Sequence, residues 1–460
     1  MIGWWHRADR AAGGLAADLV LYALSTAFAA VTAVTSTLLP HRAWGAVAAV
    51  GYLAATVAVL GQLLVRRRRP ASRLSGAAGR AVLVAATWAG TALLPLVWQA
   101  VERAGGRLDR AQEEVLVIEH SGARLLDHGT PYLTRDAIAA LPAGEQLLGY
   151  TPYQPGMAIF GLPRAAVGTV WWTDARIWFA VATAVALVAA VRLLRRDAAV
   201  STTGGAAPDA TPPTGGVAAR DAALVRAVQL ATVLPVCALT LATGGDDLPV
   251  LALCLLALAC AARDRYLGAG LAVGLAAALK LFAWPVLLVL LIHTVVQARH
   301  RRSAGPWPTR PGPRFAIGAV GLPLVTLIPA QLVDSAALVE NVLRFPLGHG
   351  LVTSPAQSPF PGHLIAQALP GGRLVAAGLL VAAGLAIAVQ LLRRPPRTAA
   401  STALFCGYGL LAAILLMPST RFGYLLYPVA FLAWAPALRL AGSTGRTADS
   451  RRNSLAASTP

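Results

Sequence analysis

Residue types able to move protons or hold anions are scarce in this chain, and many of them gather between Glu113 and Tyr132, in EEVLVIEHSGARLLDHGTPY. Four carboxylates (Glu113, Glu114, Glu119, Asp127) and two histidines (His120, His128) lie on a helical pattern that closes at Gly129-Thr130-Pro131-Tyr132. A carboxylate held there can take the proton of an attacking hydroxyl, chemistry typically worth roughly 10²–10⁴-fold in rate. Glu119 follows Glu114 at i+5 and so points elsewhere on a regular helix; Glu113 is the neighbouring alternative. A second acid pair, Asp246-Asp247, follows two glycines. It would bind a divalent cation or sugar hydroxyls, or else cap the next helix. Lys280, in KLFAWP, is a point charge suited to a phosphate, or a snorkelling interfacial lysine. Arg421 and Tyr424, in PSTRFGY, add a cation and a hydrogen-bond donor, or an aromatic anchor. His120, His128, His349 and His363 show no ligand spacing, so no metal site is expected.

The elements that must position these residues are membrane helices. Of the 460 residues 57% are hydrophobic and 13% charged, and repeated apolar runs of about 18 residues or more read as transmembrane helices. The net charge of +19 would also fit a nucleic-acid binder. Yet the arginines cluster at the ends of apolar runs: Arg66 to Arg69, Arg192 with Arg195 and Arg196, Arg299 to Arg302, Arg393 to Arg397. That is the positive-inside pattern of cytoplasmic helix ends, and no nucleic-acid partner is expected. Cys237, Cys254, Cys260 and Cys406 all lie inside apolar runs and read as small hydrophobes. The first apolar run follows Arg7 and Arg10 and is too long for a cleavable signal peptide.

Following the arginines gives an all-α, polytopic protein of about twelve transmembrane helices, both termini cytoplasmic, in a bacterial plasma membrane. Residues 1–78 hold two helices, and 79–196 a third, an outer loop and the helix after it. Within that unit Gly156–Val170 is expected to insert partly or re-enter, with the crossing at Thr173–Leu193. Residues 197–220, rich in Ala, Thr, Gly and Pro, read as a flexible cytoplasmic linker, 221–440 as the helical core and 441–460 as a disordered tail. The run Tyr266–Gln297 has basic charge at both ends and must cross twice, bending at Lys280 to Pro285, because proline disrupts helix continuation. No internal repeat is visible.

This path collects Glu113, Glu114, Glu119, His120, Asp127, His128, Asp246, Asp247, Lys280, Arg344, His349, His363 and Arg421 at one outer interface, framed by Trp171, Trp172, Trp284, Tyr153, Tyr424 and Tyr427. Ionisable residues near a membrane are costly, and mark either function or pairing. Glu114-Val115-Leu116-Val117-Ile118, then Ala123 to Leu126 and Gly129-Thr130-Pro131-Tyr132, resembles the first outer loop of glycosyltransferase family 87, which reads Asp-Leu-x-Val-Tyr, a short helix and Gly-x-Pro-Tyr. The run Gly270–Leu287 is similar to that family's Gly-rich helix ending in lysine and proline, and Gly245-Asp246-Asp247-Leu248 falls at its Gly-Gln or Gly-Asn turn.

The resemblance spans about Gln112 to Tyr427. It implies a GT-C-type hexosyltransferase, here mannosyltransferase-like and of actinobacterial type. Such an enzyme moves a sugar from a polyprenyl-phosphate donor to an envelope glycolipid or glycan acceptor among membrane lipids, with no cofactor beyond the lipid-linked donor. It casts Glu114 as base, with Glu113 and Glu119 as alternatives. Lys280, Arg421, Arg344 and Tyr424 would bind the donor phosphate, and Asp246, Asp247, His120, Tyr132 and Tyr153 the substrates. Glutamate at 114 for the family's aspartate, with Ile118 for its tyrosine, departs from the pattern and implies a longer reach for the same base or altered or lost activity; two additional leading helices are a second departure. A transporter or flippase, or an inactive envelope-assembly partner, are the alternatives; sugar, acceptor and linkage are not readable.

Overall fold

The computed structural model describes residues 11–195, 214–302 and 311–456. Its helices are α1 (Leu15–Thr35), α2 (Leu39–Arg68), α3 (Ala77–Ala104), α4 (Glu113–His128), α5 (Ala175–Arg195), α6 (Thr214–Thr232), α7 (Pro235–Thr243), α8 (Asp247–Ala262), α9 (Tyr266–Leu279), α10 (Ala283–Arg302), α11 (Pro311–Val333), α12 (Pro361–Ala368), α13 (Gly372–Arg393), α14 (Ala399–Leu416) and α15 (Leu426–Ala456). Among the described residues the only β-type pairing is one isolated bridge, Gln357 to Thr420. The chain is all-α and membrane-spanning. Eight of these helices are long and apolar enough to cross a bilayer, nine if the bent pair α6–α7 is one span. Reaching twelve requires that the shorter apolar helices α8, α9 and α10 cross too.

Apolar residues all round a helix demand burial all round it. α8 meets that demand, with both faces buried from Leu248 to Ala261, between α5, α9, α14 and α15. α9 packs most closely on α11. A Cβ on Gly274 would lie 2.0 Å from the Gly318 carbonyl oxygen, and one on Gly270 2.1 Å from that of Phe315. This is the small-residue route to tight helix contact in lipid, where no hydrophobic effect drives association. By contrast α13 leaves Leu374 and Leu392 about four-fifths exposed, as a lipid-facing helix should.

The leading hairpin α1–α2 is anchored on the body by polar contacts. Trp44 donates to the Thr91 carbonyl at 2.8 Å, within a π turn of α3 (Ala89–Leu93), and Tyr52 donates to the Val233 carbonyl at 2.7 Å, in the bend between α6 and α7. Asp18 takes a two-pronged hydrogen bond from Arg80 (2.5 and 2.9 Å) and an ion pair from Arg226 at 2.8 Å.

The break at Lys280 lies between α9 and α10 as read, and the helix expected at Thr173–Leu193 is α5, Ala175–Arg195. Gly156–Val170 forms two short helical turns, Pro155–Phe160 and Leu162–Val167, laid on α4 and α9. Two readings need correction. The expected linker lies outside the described residues up to 213 but is already helical from Thr214, and the chain beyond Ala441 continues α15 as helix to Ala456. Low hydrophobicity removes a core from a segment without forbidding helix, because a helix already nucleated next to it propagates by one hydrogen bond per residue. Replacing Gly274 by valine should overpack the α9–α11 contact and cost roughly 1–3 kcal/mol, read as a lower thermal midpoint in detergent than for the lipid-facing control Gly378→Val, whose Cβ meets nothing within 4 Å.

Candidate functional site

Glycine makes the central turn. Gly245 adopts φ +93°, which side chains rarely tolerate, and a Cβ there would sit 2.9 Å from the Phe179 ring. This sharp turn after α7 delivers Asp246 and Asp247 to the start of α8. Neither caps the helix in the expected way, since Asp246 makes no side-chain cap bond. Both carboxylates turn to Lys280, the residue that ends α9: its Nζ lies 2.5 Å from Asp246 Oδ2 and 2.6 Å from Asp247 Oδ1. Tyr427, from the first turn of α15, donates to Asp247 Oδ1 at 2.8 Å. The rings of Tyr153 and Tyr424 stand 5.4 and 5.5 Å from the ammonium, within cation–π range. Phe282 closes the aromatic wall, stacked on Tyr427 and tilted against Tyr424.

This triad is buried, so its charges feel little screening. Burial alone would push the lysine pKa down, but Asp246 and Asp247 more than reverse that and raise it. Burial, with the neighbouring Asp247 charge, pushes the Asp246 carboxyl up against the pull of Lys280. Burial also lifts Tyr153 well above an ordinary phenol, and the Asp246 carboxylate adds to the lift, so its hydroxyl remains a donor. Lys280 is therefore not a snorkelling side chain but the centre of a closed ion cluster.

Beside it sits a second pair. Arg421 is fixed by the bridge between the loop after α11 and the Pro418 turn. Ser358 N–H donates to the Thr420 carbonyl at 2.9 Å, Thr420 N–H to that of Ala356 at 3.0 Å, and Phe422 N–H to Ser358 Oγ at 2.9 Å. His363 Nδ1 braces the same turn at 2.9 Å from the Pro418 carbonyl. So held, Arg421 forms an ion pair with Glu114, in the first turn of α4. The residue before that turn, Gln112, docks on the end of α7: its N–H donates to the Thr243 carbonyl at 2.9 Å, and Thr243 Oγ1 donates to its Oε1 at 3.0 Å. A Cβ on Gly244 would lie 2.9 Å from Gln112 Oε1, so glycine there lets Gln112 dock against the acid turn.

The structure thus gathers Glu114, Arg421, Lys280, Asp246, Asp247, Tyr153 and Tyr424 at one set of helix ends. Other expected residues go elsewhere. Glu119 is corrected from a candidate base to a buried clamp: Arg103 takes both its oxygens at 2.8 and 2.7 Å, and Arg164 approaches to 3.1 Å. Glu113 and His120 are exposed on other faces of α4. Tyr132 is buried and donates to the Tyr153 carbonyl at 2.8 Å, so it supports the site from behind. Arg344 is more than half exposed and paired with Glu340 at 3.3 Å.

Sequence reading missed the clamp that orients α4. Asp174 accepts from Arg103 at 3.0 Å and from Arg176 at 2.8 Å. Burial would raise the Asp174 pKa, but these two guanidiniums hold it far below the usual carboxylate range. The available signal was the presence of Arg103, Arg164 and Arg176 on the face with few arginines, each needing a carboxylate. Gly122 and Gly161 complete the seat, since a Cβ on Gly161 would lie 2.1 Å from the Ile118 carbonyl oxygen.

Removing one partner of a buried ion cluster leaves uncompensated charge, typically about 3–5 kcal/mol. Lys280→Met should therefore lower the thermal midpoint in detergent sharply, and adding Asp246→Asn to it should recover part of the loss. Equal midpoints for Lys280→Met and wild type would mean that the triad does not stabilise the fold.

Among the described residues no group of three or more His, Cys, Asp or Glu side chains is placed to hold a metal ion. Searches of curated proteins and of solved structures give no match to this chain. A family model, glycosyltransferase family 87, matches residues 150–418. The matched stretch begins after α4 and contains Tyr153, the Asp246-Asp247 turn and Lys280. It spans more than half of a chain built from membrane-crossing helices, and the protein belongs to glycosyltransferase family 87, as a membrane glycosyltransferase.

Proposed function

We propose that the chain moves a mannose-like sugar from a polyprenyl-phosphate donor to a cell-envelope glycolipid or glycan, at the outer face of the plasma membrane, with a GT-C-type arrangement of helices and with both termini cytoplasmic. The observation that carries this reading is the Glu114–Arg421 pair, set beside a buried lysine–aspartate cluster at the mouth of the helix bundle.

The donor's isoprenoid chain lies in the bilayer, and its phosphate reaches the mouth, where Arg421 is the cation nearest the base. The phosphate competes with Glu114 for that guanidinium, and its arrival frees the carboxylate. The acceptor hydroxyl oxygen then bonds to the anomeric carbon while the bond from that carbon to the phosphate oxygen breaks, its electron pair leaving with the phosphate. Glu114 takes the hydroxyl proton. The products are the glycoside and a polyprenyl phosphate, whose extra negative charge Arg421 meets. Lys280 holds Asp246 and Asp247 in place, so that their outer oxygens and the Tyr153 hydroxyl are offered to sugar hydroxyls.

Placing Glu114 as base rests on its contacts rather than on the family match, which starts at residue 150. Membranes carrying wild type should transfer label from polyprenyl-phosphate mannose to crude envelope lipid. Glu114→Gln should lower that rate by roughly 10²–10⁴-fold at unchanged expression. Transfer equal to wild type would remove Glu114 as the base. Absence of transfer by wild type with mannose, glucose and arabinose donors alike would remove the donor reading.

A further inference from the structure

At the end of the bundle remote from the triad, α8 finishes at Ala262 and α14 starts at Ala399. α8 packs on α10, α14 and α15, and α10 on α14. Between them lies a cavity of about 170 Å³, close to the ~150 Å³ at which a protein cavity takes up benzene. It admits a small headgroup and not an acyl chain. His293 and Gln297, one turn apart on α10, fix the wall made by the connection from α13 to α14. His293 Nδ1 donates to the Pro396 carbonyl at 3.0 Å, and Gln297 Nε2 to the Arg397 carbonyl at 2.6 Å. Thr398 follows and caps α14 through reciprocal bonds with Ser401. His293 lines the cavity and is only 2% exposed. A carbonyl can only accept, so Nδ1 carries the proton and Nε2 of the neutral ring is left as an acceptor, without a hydrogen-bond partner among the described residues. A buried acceptor left unmatched is costly, and a ligand's donor removes that cost. Arg397 and Arg439, both exposed, stand at the lip, and among the described residues neither pairs with a carboxylate. Asp264 lines the cavity too, its carboxylate accepting from the Tyr266 hydroxyl at 2.6 Å.

We propose that this cavity binds a phosphodiester whose headgroup ends in a primary ammonium, the chemistry of a phosphoethanolamine head. The ammonium donates to His293 Nε2, in the field of the Asp264 carboxylate. The phosphate meets the Arg397 and Arg439 guanidiniums, whose forked donors match its oxygens. A trimethylated ammonium has no N–H to give and leaves the imidazole unpaired. The arginine runs at this end lie where a spanning bundle meets headgroups, and basic pockets between spanning helices take lipid heads. The site is separate from the Glu114–Arg421 mouth and independent of the sugar-transfer reading. An occupant here ties α8, α10, α14 and α15 together at the end that the triad does not reach.

The test follows the thermal midpoint of the full-length protein in detergent as three probes are added: dioctanoyl phosphatidylethanolamine, dioctanoyl phosphatidylcholine of the same net charge, and soluble glycerophosphoethanolamine. Each response is taken from that variant's own midpoint without probe, so a less stable variant still reports. Wild type should reach half its response at about tenfold lower concentration of the ethanolamine lipid than of the choline lipid, the factor expected for one hydrogen bond to a charged group. His293→Asn, whose amide can still donate to the Pro396 carbonyl, should respond to both lipids alike. Arg397→Ala with Arg439→Ala should weaken both by about tenfold or more, and this exposed pair carries the test if His293→Asn does not fold. Arg68→Ala with Arg69→Ala, which removes the same charge away from the cavity, should leave both responses as in wild type. Equal responses of wild type to the two lipids, an ethanolamine preference kept in His293→Asn, or full responses in the Arg397 and Arg439 pair would each overturn the proposal. A response to glycerophosphoethanolamine equal to the lipid's upholds the site with a soluble phosphodiester as its ligand; a response to the lipid alone upholds it as a lipid site.

Discussion

One buried ammonium between two carboxylates sets the geometry on which the rest depends. Lys280 ends α9, Asp246 and Asp247 begin α8, and Tyr427 begins α15, so a single cluster ties three helix ends to a common point. Such clusters pay heavily for leaving water and return that cost only when the geometry is well satisfied. Here the hydroxyl of Tyr427 and two aromatic faces complete the shell. The cluster also carries one more carboxylate than cation, which makes its surroundings favourable for hydroxyl-bearing and cationic groups and unfavourable for a bare phosphate. An anion entering the site is directed to the arginine side.

The helix α4 is the complementary device. It lies outside the bundle and would be free to shift were it not seated at three places. Gln112 fixes its start on α7, Glu119 locks its middle into the Arg103–Asp174–Arg176 network, and the Gly122–Gly161 contact brings it against backbone. The base proposed for Glu114 would need an oxygen held within a fraction of an ångström of the proton it takes. The seating explains why carboxylates so close in sequence have different fates: Glu113 meets water, Glu114 meets Arg421, and Glu119 is consumed in holding the helix.

The spans were legible because lipid demands long apolar runs and arginine marks their ends, and the break at Lys280 followed from Pro285. The family was legible from short motifs around Lys280 and the glycine turn. The pairings were not. Asp246 looks the same in sequence whether it caps a helix or binds a lysine 34 residues on, and only the φ of Gly245 decides. Arg421 and Glu114 lie at opposite ends of the chain, and a two-residue bridge to the loop after α11 brings them together.

The helices that end at the triad are short. α8 has 16 residues and α9 has 14, which at 1.5 Å per residue is about 24 and 21 Å, against a hydrocarbon layer of about 30 Å. Set across a bilayer from the Arg263–Arg265 turn, the polar ends of α8 and α9 would fall about 6–9 Å short of the opposite headgroups. In that arrangement the bilayer would thin there, or water and headgroups would sink to meet the protein. A dimple of this kind would sort substrates by anchorage, since a phosphate tethered in the bilayer could be drawn down into it at little cost while a water-soluble one would gain nothing by descending. Membrane thickness would then bear on activity, since a thicker bilayer would deepen the dimple and raise the cost of filling it.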